Sequence, residues 1–226
     1  MVRTPSFTHV GWVPWSPNRE KPGRVHELAM DWALTRASES RTKPVLRVHS
    51  HAHDWTHPSS AYSRFAKAGT VVTDRGRGAK GTTLVPSAYS MKLVAGGMSN
   101  ADGHALVVEE HPALPLEAWA AHLGAVNLRT GEVVPDTRSP ELVERVSMLA
   151  SSLYNGWSSL PGSSAAKHRL PELAAAGMTW DEFVGTLLAI APHHVDEKDM
   201  LRWAPPEWKA QKEERLQRNL NPANFL

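Results

Sequence analysis

The segment from Ala105 to His111 constrains the fold more than any other part of the chain. Its sequence, ALVVEEH, sets four apolar residues in a row before two glutamates and a histidine. A short, continuous apolar run predicts a buried strand. Ligands in open α/β sheets gather beyond the carboxyl ends of the strands, so the polar end of this segment is a candidate site.

Other strand and helix signals alternate with this strand over residues 44–134. VLRV after Pro44 and TVVTD (residues 70–74) predict two more strands, and AVNLRTGEVV (residues 125–134) is a strand or a hairpin. AYSRFAKAG and LEAWAAHLG predict short helices that end at glycine. Residues 139–220 have only helical patterns. The sequence therefore predicts an α/β or α+β fold, with a parallel or mixed sheet as its core and a helical bundle after it.

Three regions follow from these patterns. Residues 1–43 form an N-terminal arm and helix, in which the proline-rich residues 1–23 are expected to be irregular. Residues 44–135 form the α/β core with the candidate site. Residues 139–226 form the helical C-terminal region. In this last region Ser139-Pro140 is a helix start, and the spacing of Thr179 and Glu182 is that of a capping box.

Composition excludes several classes of protein. The chain has 226 residues, and its 41% hydrophobic and 21% charged content is that of a globular protein. No cysteine is present, so disulfides, thiolate nucleophiles and Cys-ligated metals are excluded. No apolar run reaches the roughly 18–20 residues of a membrane span, and the N-terminus lacks the apolar core of a signal peptide. These features predict a soluble, cytoplasmic protein that does not contact membranes.

Histidines concentrate in the segment HSHAHDWTH, which follows the predicted strand VLRV. If the strand continued through it, alternate residues would place three imidazoles on one face. Together with a carboxylate they could hold zinc, manganese or magnesium, and such a metal could activate water. The predicted metal ligands are His49, His51, His53, Asp54 and His57. A surface loop without metal is the alternative.

The acidic strand end is the second candidate site. Glu109, Glu110 and His111 are predicted catalytic residues, and either glutamate could instead complete the histidine cluster. The apolar run with its terminal glutamates is similar to the acidic box of helicase-type motor lobes, over residues 70–130. That resemblance implies carboxylates that hold magnesium and orient water for ATP hydrolysis.

A motor lobe also needs a phosphate-binding loop. The best candidate is the segment GRGAKGTT, from Gly76 to Thr83, whose glycines have the required spacing. Thr82 stands where the lysine belongs, however, and Lys80 comes two places early. The segment therefore predicts an incomplete phosphate loop.

The same loop carries the predicted nucleic-acid contacts. Arg75, Arg77 and Lys80 lie among glycines, where side chains and backbone N–H groups can both meet phosphates. The net charge is only +2, so the overall charge gives nucleic-acid binding little support.

The combined hypothesis is an intracellular, nucleic-acid-associated protein that acts as a metal-dependent phosphodiesterase or nuclease. A non-enzymatic nucleic-acid-binding or assembly module is the first alternative, with a protein partner or a second copy of the chain on its surface. A motor-lobe domain without a complete phosphate loop is the second.

Overall fold

The computed structural model describes residues 5–16, 22–73 and 78–219, without the side chains of residues 22 and 23. Its strands are β1 (His9–Val13), β2 (Pro44–Arg47), β3 (Thr70–Val72), β4 (Thr82–Ala88), β5 (Ala105–Glu110) and β6 (Val126–Asn127). Its helices are α1 (Pro22–Ser40), α2 (Ala52–Thr56), α3 (Ser63–Ala68), α4 (Met91–Ala101), α5 (Glu117–His122), α6 (Pro140–Ser152), α7 (Leu160–Ala175), α8 (Trp180–Ile190), α9 (Glu197–Trp203) and α10 (Pro206–Asn219).

The strands form one six-stranded parallel sheet in the order β3-β2-β4-β5-β1-β6. The predicted α/β class is confirmed, and of the two sheet types foreseen the structure has the parallel one. The predicted buried strand is β5. It lies inside the sheet between β4 and β1, and Leu106, Val107 and Val108 are fully buried. A strand with neighbours on both sides and helices on both faces needs such a continuous apolar run.

The N-terminal arm is where the sequence interpretation was wrong. Residues 9–13 are not irregular, because they form β1, which pairs with β5 from His9↔Ala105 to Val13↔Glu109. The strand also pairs with β6 on its other side. Residues 9–13 are thus part of the sheet core.

Helices cover both faces of the sheet. On one face, which we call the α1 face, α1 and α3 pack over Leu46, Leu84 and Val107. On the other, which we call the α4 face, α4 and α5 pack over Val85 and Val108. Connections after β1 and β2 therefore run over the α1 face, and those after β4 and β5 run over the α4 face.

The C-terminal helices are present as predicted, and they share a core with the sheet. One hydrophobic cluster runs from Val108 through Trp119 of α5 to Trp180, Phe183 and Trp208 in the helical region. The C-terminal region is thus packed on the α4 face. No helix among the described residues is long and apolar enough to cross a membrane.

Several helix ends follow the predicted signals, and one does not. Pro140 opens α6, and the capping box of Thr179 and Glu182 opens α8 with both of its hydrogen bonds present. The helix α7 begins at Leu160, where no helix start is predicted from the sequence, with Ser159 as its N-cap. Pro161 fits there, since the first turn of a helix needs no N–H from it.

Close packing of α4 on β4 depends on Gly97. A Cβ atom at this position would overlap Cγ2 of Val85 in β4. We therefore expect Gly97→Ala to lower the free energy of unfolding by ~1–3 kcal/mol, even though alanine is the better helix former. Ser99→Ala, on the exposed side of the same helix, is the control and should change little. A urea midpoint for Gly97→Ala equal to that of the wild type would contradict this packing.

Candidate functional site

The carboxyl edge of the sheet holds the candidate site. Because all six strands are parallel, their carboxyl ends lie along one edge. In two pairs of neighbouring strands, β2 with β4 and β5 with β1, the connections that follow the two strands run over opposite faces of the sheet. Ligands of open α/β sheets bind in the crevices that such pairs leave beyond the strand ends. Glu109, Glu110 and His111 lie at the β5 end of this edge.

Glu109 is held on the α1 face by two side chains from distant parts of the chain. It is 3% exposed, and its Oε2 accepts a hydrogen bond from the Tyr62 hydroxyl and lies 3.1 Å from Nδ1 of His26. The Tyr62 oxygen also lies 2.5 Å from the same Nδ1. His26 is in the second turn of α1, and Tyr62 immediately precedes α3. We call these three residues the Glu109 triad.

The Glu109 triad fixes which nitrogen of His26 carries a proton. Oε2 of Glu109 accepts, so Nδ1 of His26 is the donor and Nε2 is left with its lone pair. Burial raises the pKa of Tyr62, and the adjacent charge and hydrogen bond of Glu109 raise it further, so the phenol stays protonated and donates. The His26 side chain is 28% exposed, so it is the member that solvent reaches. A carboxylate that orients a histidine in this way makes its outer nitrogen a proton acceptor.

Glu110 points to the other face of the sheet. Its Oε2 accepts from the Trp15 N–H at 3.0 Å, and its Oε1 accepts from the Leu116 N–H at 3.0 Å. Burial raises the pKa of Glu110 to about 7, although these two N–H groups favour the charged form. The carboxyl group lines a cleft of about 700 Å³ between the strand ends, α5, α8 and α10.

The charges around this cleft do not favour a phosphate ligand. Among the residues that the structure describes, six carboxyl groups line it against three arginines, Arg138, Arg215 and Arg218. Arg138 is already paired with Asp136, and Arg215 with Asp181 and two backbone carbonyls. A polyanion would therefore meet surplus negative charge in the cleft beside Glu110.

His111 has the tautomer opposite to that of His26. Its Nδ1 accepts the Ala113 N–H at 3.1 Å, so in the neutral ring the proton is on Nε2. Its ring lies 6.3 Å from that of Tyr89, which is 5.0 Å from the ring of His49. These rings lie over the carboxyl ends of β2, β4 and β5.

The histidine loop does not have the geometry that alternation suggested. The strand ends at Arg47, and residues 52–56 form the short helix α2, so the imidazoles do not share a strand face. The five predicted metal ligands, at positions 49, 51, 53, 54 and 57, are all exposed. Nδ1 of His57 lies 2.7 Å from the Ser59 hydroxyl. Within the described ranges, no three His, Asp or Glu side chains form a group that could hold a metal ion.

The predicted phosphate contacts lie partly outside the described residues, which include neither Arg75 nor Arg77. Lys80 is described, and its Nζ donates to the Ser99 carbonyl at 2.5 Å and lies 3.8 Å from Asp102. The loop precedes β4, so Lys80 is at the amino edge of the sheet, opposite Glu109. Lys80 and the acidic strand end therefore do not form the joint nucleotide site that a motor lobe needs.

Comparison with known proteins adds no assignment. No protein-family model matches the chain, and neither a curated protein nor a solved structure matches it significantly.

Sequence analysis missed His26 and Tyr62. One signal for His26 was present, because it begins the stripe that α1 buries, followed by Met30, Ala33 and Ala37 at helical spacing. Tyr62 precedes Phe65 and Ala66 in the same way. Nothing in either pattern indicates that these two side chains meet Glu109, which is 83 residues from His26 and 47 from Tyr62.

The raised pKa of Glu110 predicts a pH-dependent stability. Between its ordinary value of 4.5 and about 7, the unfolded chain releases this proton while the folded protein keeps it. The free energy of unfolding should therefore fall as pH rises through this window, by about 3 kcal/mol in total. Glu110→Gln cannot titrate, so its urea-unfolding free energy should decline less between about pH 5 and about pH 7.5.

The control for this experiment is Glu144→Gln, on the exposed side of α6 and away from the cleft, which should keep the wild-type slope. A Gln side chain at position 110 directs its NH2 group at one of the two N–H donors, so the substitution also changes the stability itself. The readout is thus the change of the unfolding free energy with pH, and not its value at any one pH. Parallel slopes for the wild type and Glu110→Gln would show that Glu110 has an ordinary pKa.

Proposed function

We propose that the protein is a hydrolase of phosphodiesters, in nucleotides or nucleic acid, with its active site on the α1 side of the carboxyl edge. The observation that carries this proposal is the Glu109 triad. Burying a carboxylate in an apolar core is costly unless it is paired, and ionisable groups in such surroundings cluster at functional sites. Here the arrangement gives His26 one fixed tautomer with its free nitrogen outward.

In this proposal His26 is the general base. Nε2 takes a proton from a water molecule that attacks phosphorus, and Glu109 stabilises the imidazolium that forms. The bond from phosphorus to the leaving oxygen then breaks, and the leaving oxygen keeps the electron pair and takes a proton from solvent water. His111 has its proton on Nε2 and is assigned as the hydrogen-bond donor to that leaving oxygen.

Two features support a phosphate as the group bound here. The 19-residue helix α1 begins at this edge, and the N-terminus of a helix favours anions. The cleft beside Glu110 is surrounded by surplus carboxylates, so of the two sides of the edge the α1 side is the better electrostatic fit.

A divalent metal belongs to the proposal as a group that arrives with the substrate. Magnesium commonly takes one or two protein carboxylates and completes its shell with phosphate oxygens and water. Glu109 would supply the carboxylate, since Glu110 points to the other face of the sheet. Among the described residues, Oε1 of Glu109 has no hydrogen-bond partner.

A non-enzymatic nucleic-acid-binding module is the second candidate. It is supported by a separate pocket of about 410 Å³ along α4, lined by Arg47, Lys80 and Lys92 against one carboxylate, Asp102. Binding of oligonucleotides without turnover, together with weaker binding by Lys80→Gln and Lys92→Gln, would favour this module over the hydrolase.

The test of the hydrolase is turnover of a labelled single-stranded oligonucleotide and of bis(4-nitrophenyl) phosphate, each with Mg²⁺ and with EDTA. His26→Gln and Glu109→Gln should each lower kcat by about 100-fold or more, because general acid–base groups typically contribute that much. His168→Gln, an exposed histidine of α7, is the matched control and should keep full activity. Equal rates for His26→Gln and His168→Gln would exclude the Glu109 triad as the catalytic group.

A further inference from the structure

Tyr89 is presented at the carboxyl edge by an irregularity in β4. Val85 pairs with Val108, but Ala88 pairs with Glu110, so β4 contains one residue more than β5 over this stretch. The extra residue is accommodated next to Ser87, whose φ of 44° is left-handed and rare for a residue other than glycine. Val85 and Ala88 consequently both pack into the core on the α4 face, three positions apart.

Such a bulge changes the direction in which the following residues point. Side chains alternate along a strand, so one extra residue reverses the face of every later position. Bulges and strained backbone are frequent beside functional sites, where they redirect a side chain. In β4 the bulge falls two residues before Tyr89, which directly follows the strand.

Tyr89 is exposed but held in place. It is 41% exposed. The rings of His49 and His111 meet it nearly at right angles, at interplanar angles of 90° and 78°. These contacts orient the phenol ring and leave part of it open to solvent.

The position of Tyr89 relates it to the Glu109 triad. Tyr89 lies at the end of β4, and the triad lies between the ends of β5 and β1. Neighbouring strands are roughly 4.8 Å apart, so two spacings separate β4 from β1 by about 10 Å. One nucleotide can bridge that span, with its base on Tyr89 and its phosphate at His26.

We propose that Tyr89 is a stacking platform for a base of single-stranded nucleic acid, and that it positions the adjacent phosphodiester at His26. The inference rests on the proposed hydrolase function, since it names the substrate class of the same site. A flat, oriented aromatic face binds bases by stacking, and this is the usual mode by which single strands are held without sequence preference. A base inside a duplex is already stacked on both sides, so duplex is a poor ligand for such a platform.

The experiment measures binding separately from turnover. Fluorescence anisotropy with a labelled oligo-dT, in EDTA and at one fixed salt concentration, compares four variants. Tyr89→Ala should weaken binding about tenfold or more, whereas Tyr89→Phe and Tyr89→Trp should stay close to the wild type because they keep a stacking face. Tyr154→Ala removes a tyrosine that is 65% exposed after α6, and should have no effect.

An abasic oligomer of the same length provides the decisive comparison. Its affinity for the wild type should be as low as the affinity of oligo-dT for Tyr89→Ala. Its affinity for Tyr89→Ala should be no lower than its affinity for the wild type. Equal binding of oligo-dT and the abasic oligomer to the wild type would overturn the platform. So would equal losses of oligo-dT affinity in Tyr89→Ala and Tyr89→Phe, or tighter binding of duplex than of single strand.

The two proposals fail in different ways. If the hydrolase is wrong, oligo-dT binding still depends on Tyr89, while His26→Gln and the wild type show the same rate. If the platform is wrong, binding and KM are unchanged in Tyr89→Ala, while His26→Gln still lowers kcat.

Discussion

The buried carboxyl group of Glu109 is the constraint on which the site depends. A lone charge at this depth would cost several kcal/mol, and the cost is offset only if the partners keep good geometry. Those partners come from α1 and from the segment before α3, so one hydrogen-bonded group ties β5 to two elements of the α1 face. The arrangement that satisfies Glu109 also fixes the tautomer of His26. Stability and the proposed proton transfer by His26 thus depend on the same contacts.

The parallel sheet brings the Glu109 triad together. Connections after β1 and β5 run over opposite faces, which opens the crevice between the two strand ends. The start of α1 enters this crevice from β1, and Glu109 enters it from β5. The alternation of side chains then separates the two glutamates. Glu109 contacts His26 and Tyr62 on the α1 face, while Glu110 lines the acidic cleft on the α4 face. Two adjacent carboxyl groups therefore have different partners and different chemistry.

The sequence predicted the elements whose signal is local. Two such predictions are correct: β5, from its apolar run, and the start of α8, from its capping box. Each depends on residues close in the chain. It missed β1, since HVGWV is short, contains a glycine that weakens a strand signal, and lies in a proline-rich stretch. It left β4 unassigned, where Pro86 and the bulge interrupt the pattern.

For the site, the sequence predicted the acidic strand end but not its partners. The prediction that His49, His51 and His53 share a face assumed that β2 continues past Arg47. The strand instead ends there and α2 follows, so the alternation on which the prediction depended is lost. His26 and Tyr62 could not be identified, because their contacts with Glu109 form only when the sheet closes between β1 and β5. Long-range pairing of this kind leaves no periodic signal in one sequence.

The most direct test of this account is the protonation of His26, measured by the ¹⁵N chemical shifts of its imidazole ring at a pH where the ring is neutral. We predict a proton on Nδ1 and none on Nε2, and we expect Glu109→Gln to shift the Nδ1 resonance while His168 is unchanged. A proton on Nε2 of His26, or shifts that do not respond to Glu109→Gln, would contradict it.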